Sequence, residues 1–398
     1  MRTDLGWDLD PSVTFLNHGS FGACPAAVLA AQRAWRDRME AEPVRFMDQV
    51  LPGTLADARA RVAAFLGGDP DGLAFVPNAT TGINTVLRSL RFEPGDELLT
   101  TDHEYNATLN ALRSVADRDR ARVVLARVPV PPADPGEAVA SILEQVTSRT
   151  RLALVSHVTS PTALVLPIEA IVAELDARGV DTLVDAAHAP GMVPVDLGSL
   201  RAAYWTGNGH KWLCGPKGSA LLWVRADRRE RIRPLVVSHG ANEPLDGRER
   251  YRLEFDWTGT GDPTGALALA DAIDWMSTQD PGGWPGLMAA NRTLALAGRD
   301  LVAAAVGLAP FAPDDMTAAM AALALPGRTD EGAARALHDV LSKFDGIQVP
   351  ITPWPLRAAR APGAEPTLRL LRISAQRYNE LADYERLAAV LPGRLAAE

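Results

Sequence analysis

The chain is predicted to be an α/β protein, with a large domain on a mostly parallel sheet and a smaller C-terminal α+β domain. Three observations predict this. At 398 residues it is too long for one ordinary core, so about two domains are expected. Apolar strand patterns alternate with amphipathic helix patterns through the first two thirds, which indicates a parallel sheet. After the break PGGWPG the order changes to helix, strand, helix, Pro-rich loop, strand and helix. The expected division is an N-terminal segment 1–20, a large domain 21–282 and a small domain 283–398.

Taken in order, VTFLNHGSFGACP (Val13 to Pro25) reads as strand, tight loop and helix, with Asn17 and His18 candidates to face a ligand. Two helices follow, AAVLAAQRAWRDRMEAEP and LADARARVAAFLG, the second closed by Gly67 and Gly68. LAFVPNATTGINTVLRSL is a strand, a turn and a helix beginning near Thr80. Free amides at that helix start, with the hydroxyls of Thr80 and Thr81, form an anion site that needs no basic side chain.

DELLTT is the next strand, and at its end stand His103, Glu104, Tyr105 and Asn106. In open α/β sheets ligands bind outside such strand ends, and Tyr105 is suited to lie flat on an aromatic ligand. RVVLARVPV, GEAVASILEQV and TRLALVSHV continue the alternation and bring His157 to another strand end. In VDTLVDAAHAPG a buried strand closes on Asp185, with His188 three residues later. A buried carboxylate stays ionised only beside a positive or hydrogen-bonding partner, and a protonated ring nitrogen of a cofactor is one such partner.

WTGNGHKWLCGPKG (205–218) then sets Lys211 between two apolar segments, LRAAYW and SALLWV, and is expected as a turn at the edge of the sheet. Burial and a neighbouring cation such as protonated His210 favour the neutral amine, which can form a Schiff base. Asp185 lies 26 residues upstream, room for a loop and one strand, so both residues reach one crevice. Beyond Trp223 a charged helix-like run, RADRRERIRPLVV, leads into a long loop over 238–258, expected at an active site or subunit interface.

Composition narrows the function classes. Hydrophobic residues make up 47% and charged residues 22%, and no apolar run approaches the ~18 residues that span a membrane. The net charge of -9 disfavours nucleic acid as a partner. Cys24 and Cys214 give neither a disulfide framework nor a metal-ligand cluster, which fits a reducing, cytoplasmic setting. The start MRTDLGWDLDPS lacks the basic, then apolar, pattern of an export signal.

In their order, FLNHGSFG, TDHEYNA, SHVTSPTALVLP, DAAHAPG, GNGHKWLCGPKG and WTGTGDP resemble the class V aminotransferase-like group of fold-type I pyridoxal-phosphate (PLP) enzymes, and within it the isopenicillin N epimerase-like branch. The likeness covers most of residues 13–265 and the RISAQRYN segment. It implies PLP as cofactor, an amino-acid-type substrate and a homodimer with shared active sites. By the resemblance, Lys211 is the lysine of the internal aldimine, Asp185 pairs with the pyridine nitrogen and Tyr105 stacks on the ring. His157 and His188 fall near the ring edge. Thr80, Thr81, Asn208 and His210 belong to the phosphate end, and Thr260 in GTGD reaches the phosphate of the neighbouring subunit. Arg372 is implied to bind the substrate α-carboxylate, with Arg369 and Arg377 close by in sequence; a planar guanidinium holds both carboxylate oxygens at once.

The reaction follows less directly, since one fold and one cofactor serve several chemistries. Cysteine desulfurases of this group carry a nucleophilic Cys ahead of the carboxylate arginine, and residues 344–371 contain none. Epimerisation, with Lys211 and Tyr105 as proton carriers on opposite faces, is the leading expectation; C–S β-lyase chemistry and transamination are the alternatives. Side-chain recognition is expected from the loop Asn17 to Phe21 and from the 238–258 and 350–366 loops.

Overall fold

The computed structural model describes residues 5–398; the first four residues of the acidic N-terminal stretch lie outside it. Twelve strands occur in it: β1 (Thr14–Phe15), β2 (Leu73–Val76), β3 (Glu97–Thr101), β4 (Arg122–Ala126), β5 (Thr150–Ser156), β6 (Asp181–Asp185), β7 (Tyr204–Asn208), β8 (Ala220–Val224), β9 (Met320–Leu325), β10 (Ile347–Gln348), β11 (Ile351–Trp354) and β12 (Leu368–Ser374). Seven form the main sheet in the order β2-β8-β7-β6-β5-β3-β4. The pairs from β7 to β4 are parallel, while β8 runs antiparallel to both of its neighbours.

Strands β3, β7 and β8 are buried along their whole length, as a sheet covered on both faces requires. The helix Ile168–Ala177 packs into the core on one face, and the helices Ala79–Ser89 and Asn106–Asp119 pack into that on the other. The helix Ala79–Ser89 comes close to the sheet because Gly82 has no side chain: a Cβ there would run into the Thr206 side chain of β7. That contact brings the helix start to the end of β7.

A second sheet, β11-β12-β9, is antiparallel and packs with the helices Gly283–Ala305, Glu331–Lys343 and Leu381–Ala396. The N-terminal stretch joins this C-terminal part, since β1 pairs in parallel with β10 and Leu16 sits in the same core. Among the described residues no helix is long and apolar enough to cross a membrane.

Four local expectations are corrected. The lysine run is not at a sheet edge but joins β7 to β8, two interior strands. RADRRERIRPLVV forms only a short 3-10 turn, Ala226–Arg231, because its arginines are drawn to acids on neighbouring segments: Arg228 to Asp181 at 2.8 and 2.9 Å, and Arg229 to Glu249 at 3.1 Å and to Asp69. The 238–258 stretch contains a helix, Arg250–Asp256, that buries Tyr251, Leu253 and Phe255. The Pro-rich 350–366 stretch contains β11, where Pro353 is tolerated because β11 is an edge strand.

Candidate active site

Ser156, Asp185 and Asn208 are the last residues of β5, β6 and β7, and all three line one cavity. It encloses about 640 Å³, open mouth included, a size that suits a small cofactor. Thr80, Tyr105, His188, His210 and Lys211 line it too, so the structure gathers eight of the residues singled out or neighbouring them in the sequence around one space.

Lys211 keeps some surface toward the cavity while its amine is surrounded by protein. The amine's affinity for a proton is brought down to about 7, first by burial and then by the Arg372 guanidinium, with Asp185 opposing. The hydrogen bonds agree. His188 Nδ1 lies 3.4 Å from the Trp212 indole N–H, which can only donate, so Nδ1 accepts and Nε2 carries the ring proton. Nε2 then donates to Lys211 Nζ at 3.2 Å, which requires a neutral amine.

The cation that favours this state is Arg372 and not His210. Burial lowers His210 to about 4, so its ring is neutral near pH 7, and its Nδ1–H donates to the Ser219 carbonyl at 3.2 Å. Arg372 is buried on β12 and directs its guanidinium to the carbonyl and hydroxyl of Ser160 (3.2 Å to Oγ) and to Ser20 Oγ at 3.2 Å. The two nearby arginines are committed elsewhere: Arg369 to Glu398 at 2.6 and 2.7 Å, and Arg377 to the Gln279 carbonyl at 3.0 Å.

Asp185 is held by the Ala187 amide at 3.0 Å and the Thr108 hydroxyl at 2.9 Å, yet burial still raises its carboxyl above the ordinary range. A cation brought into the cavity would relieve that cost, and a protonated pyridine nitrogen is such a group. Near it stands Glu104, which the sequence places at the end of DELLTT without assigning it a role. Its carboxyl is fully buried, accepts from the Ser156 amide at 2.7 Å and lies 2.6 Å from the Ser156 hydroxyl. Burial first, and then Asp185, push it up to about 8. An acid directly before the aromatic Tyr105 was the signal in the sequence.

The helix start is arranged by two asparagines. Asn208 Oδ1 accepts from the Ala79 amide at 2.9 Å, and the N-cap Asn78 accepts from the Thr81 amide at 2.8 Å and hydroxyl at 3.1 Å. Thr81 is therefore turned to its cap and outside the cavity lining, whereas Thr80 and Asn78 are in it. The cavity takes Ser20 and Phe21 from the first loop in place of Asn17 and His18. Asn17 accepts the Ser20 hydroxyl at 2.6 Å, and His18 is buried with its ring turned away between Tyr378 and the Lys211 carbonyl. His157 is likewise buried outside the lining, its Nδ1 without a partner among the described residues. Thr260 stands on an exposed turn outside the cavity.

The donor set fits PLP: a lysine of lowered proton affinity, a carboxyl in want of a cation and a helix start line one space, and the buried Arg372 guanidinium, itself outside the lining, bonds Ser20 and Ser160, which are in it. Comparison with known proteins agrees with that class. The Aminotransferase class-V family model matches residues 22–282, and the chain belongs to this family of PLP-dependent enzymes. It is 35% identical to isopenicillin N epimerase from Streptomyces clavuligerus, over 96% of this chain and 95% of that protein. It is 30% identical to putative L-cysteine desulfhydrase 2 from Oryza sativa subsp. japonica, over 95% of this chain and 84% of that one. Two solved structures share the fold at 22% identity. One is the cysteine desulfurase CsdA from Escherichia coli, with a TM-score of 0.81 over 100% of this chain and 99% of that chain. The other is the cystine C-S lyase C-DES, with 0.79 over 96% and 98%.

The amine geometry sets a pH dependence. The neutral form that attacks a carbonyl is populated above about 7 in the folded chain, against an ordinary 10.5. Between these values the unfolded chain binds the extra proton, so the Lys211 contribution to stability increases with rising pH. PLP capture by cofactor-stripped protein, followed by absorbance, is expected to accelerate with a midpoint near pH 7 and then level off. A rate still climbing at pH 10 would contradict the placement of Lys211.

Proposed function

We propose that the protein epimerises an amino-acid-derived centre, with Lys211 removing the Cα proton and Tyr105 returning one from the opposite face. The observation that carries the reading is the Lys211 amine 3.2 Å from His188 Nε2, its proton affinity lowered by burial and Arg372, in the same cavity as Tyr105. The 35% identity to isopenicillin N epimerase over nearly the whole chain supports the epimerase direction.

Bound PLP supplies an electron sink for the pair left when a bond at Cα breaks. The chain's own residues have separate tasks in this reading. Asp185 would pair with a protonated ring nitrogen, and Thr80, Asn208 and His210 would hold the phosphate end. Arg372, with Ser20 and Ser160 on its guanidinium, takes the substrate carboxylate by charge-assisted hydrogen bonds. Tyr105, half-exposed at the cavity and close enough to Arg372 to favour its charge, is placed to carry a proton and to contact the ring face.

A C–S β-lyase is the second reading, favoured by the 30% identity to an L-cysteine desulfhydrase. Persulfide chemistry through a protein thiol is disfavoured: Cys214 is buried, and burial raises the Cys24 thiol to about 12. The free state of both cysteines supports a cytoplasmic setting. Incubated in D2O with amino acids and cysteine conjugates, the loaded protein is expected to incorporate deuterium at Cα with loss of optical purity. Release of pyruvate and ammonia without inversion would overturn the epimerase reading in favour of the lyase.

A homodimer with shared sites belongs to the same reading. Thr260 is exposed outside its own chain's cavity, and Leu235, Val236 and Val237 expose 44, 56 and 75% of their surface in one run. Sedimentation is expected to show twice the 42.5 kDa chain, and Val237→Asp to shift it toward the single chain. A wild-type monomer at micromolar concentration would contradict the shared site.

A further inference from the structure

His18 is buried, lines no part of the cavity and takes part in none of the steps above. Its ring stands between two partners, with Nε2 3.0 Å from the Lys211 carbonyl oxygen and Nδ1 2.7 Å from the Tyr378 hydroxyl. A carbonyl can only accept, so Nε2 carries the ring proton. Burial lowers the ring to about 3, so it is neutral, and Nδ1 accepts from the Tyr378 hydroxyl. The ring also packs on Trp212, with centroids 4.8 Å apart.

The same short turn, His18–Phe21, is fastened to the strand that carries Arg372. The His18 amide donates to Ser374 Oγ at 2.7 Å, two residues beyond Arg372, and Ser20 Oγ accepts from Arg372 Nη2 at 3.2 Å. Gly22, at φ +70, lies where a Cβ would meet the His210 carbonyl, so the chain also closes onto the backbone just before Lys211. One turn thus joins the backbone of the lysine to the guanidinium.

We propose that His18 is a positioning residue that couples carboxylate binding at Arg372 to the setting of Lys211, through Ser20 on one side and the Lys211 carbonyl on the other. This rests on the reading that Arg372 takes the substrate carboxylate and Lys211 holds the cofactor. The physical basis is competition. An arriving carboxylate claims guanidinium N–H groups that otherwise bond Ser160 and Ser20. When the Ser20 contact gives way, the turn loses its tie to the guanidinium while Ser374 still holds the His18 amide, and His18 carries the adjustment to the Lys211 backbone.

The groups that face the Lys211 amine are Asp185, His188 and Arg372, with the neutral rings of His210 and His18 nearby. The test follows the pH midpoint of the visible absorption of the PLP-loaded protein, with and without acetate as an unreactive carboxylate. Wild-type protein is expected to show an upward displacement with acetate, because an anion on Arg372 offsets its charge. In His18→Phe, which keeps a ring against Trp212, and in the milder Tyr378→Phe, the displacement is expected to fall below half of the wild-type value. A full displacement in the folded variants overturns the coupling alone, since direct charge interaction would then account for it. No displacement in wild-type protein overturns the Arg372 reading and the coupling with it.

Discussion

A lysine amine removed from water and set near a guanidinium gives up its proton, and the arrangement around Lys211 depends on that one fact. The interior strands β7 and β8 hold the loop that presents it, and burial there weighs against the charged form. The adjacent β6 delivers Asp185 to the same cavity, so that a nucleophile and a carboxyl in want of a cation meet without pairing directly. The second sheet supplies Arg372 on β12, which lowers the proton affinity of Lys211 and bonds Ser160 and Ser20 of the cavity lining. The small sheet therefore contributes to the electrostatics of the lysine as well as to any carboxylate site.

Much of this was legible in the sequence because strand ends mark position. Asp185 closes an apolar run, Lys211 follows one, and Tyr105 sits just beyond DELLTT; in a parallel sheet such residues collect outside the C-terminal ends of the strands. What the sequence could not convey was direction. His18 and Asn17 lie in the motif that also supplies Ser20 and Phe21, but His18 is turned into the core, Asn17 is taken by the Ser20 hydroxyl, and only the last two line the cavity. Thr81 is claimed by the Asn78 cap, an ordinary competition at a helix start that leaves Thr80 in the site. His210 was read as a cation, and burial makes it neutral.

The expected mostly parallel sheet is present, and its one antiparallel strand, β8, follows from the short connection after Lys211, too brief for a crossover helix. The helix Arg250–Asp256 was hidden by its charged residues, although Tyr251, Leu253 and Phe255 were there to be buried. Glu104 shows the opposite case, a charged side chain in a strongly apolar place. Burial, and then Asp185, push its carboxyl up to about 8, so near neutral pH it holds its proton and adds no second negative charge beside Asp185.

The central claim is that Lys211 carries the cofactor. The chain has only three lysines, Lys211, Lys217 and Lys343, so chemical trapping can separate them. Lys217 is engaged with the Gly22 carbonyl at 3.0 Å, and Lys343 with Asp339 at 3.0 Å. Borohydride reduction of the PLP-loaded protein, followed by peptide mass mapping, is expected to place the pyridoxyl mass on Lys211 alone. The mass on Lys217 or Lys343 instead, or on none of the three, would contradict the account.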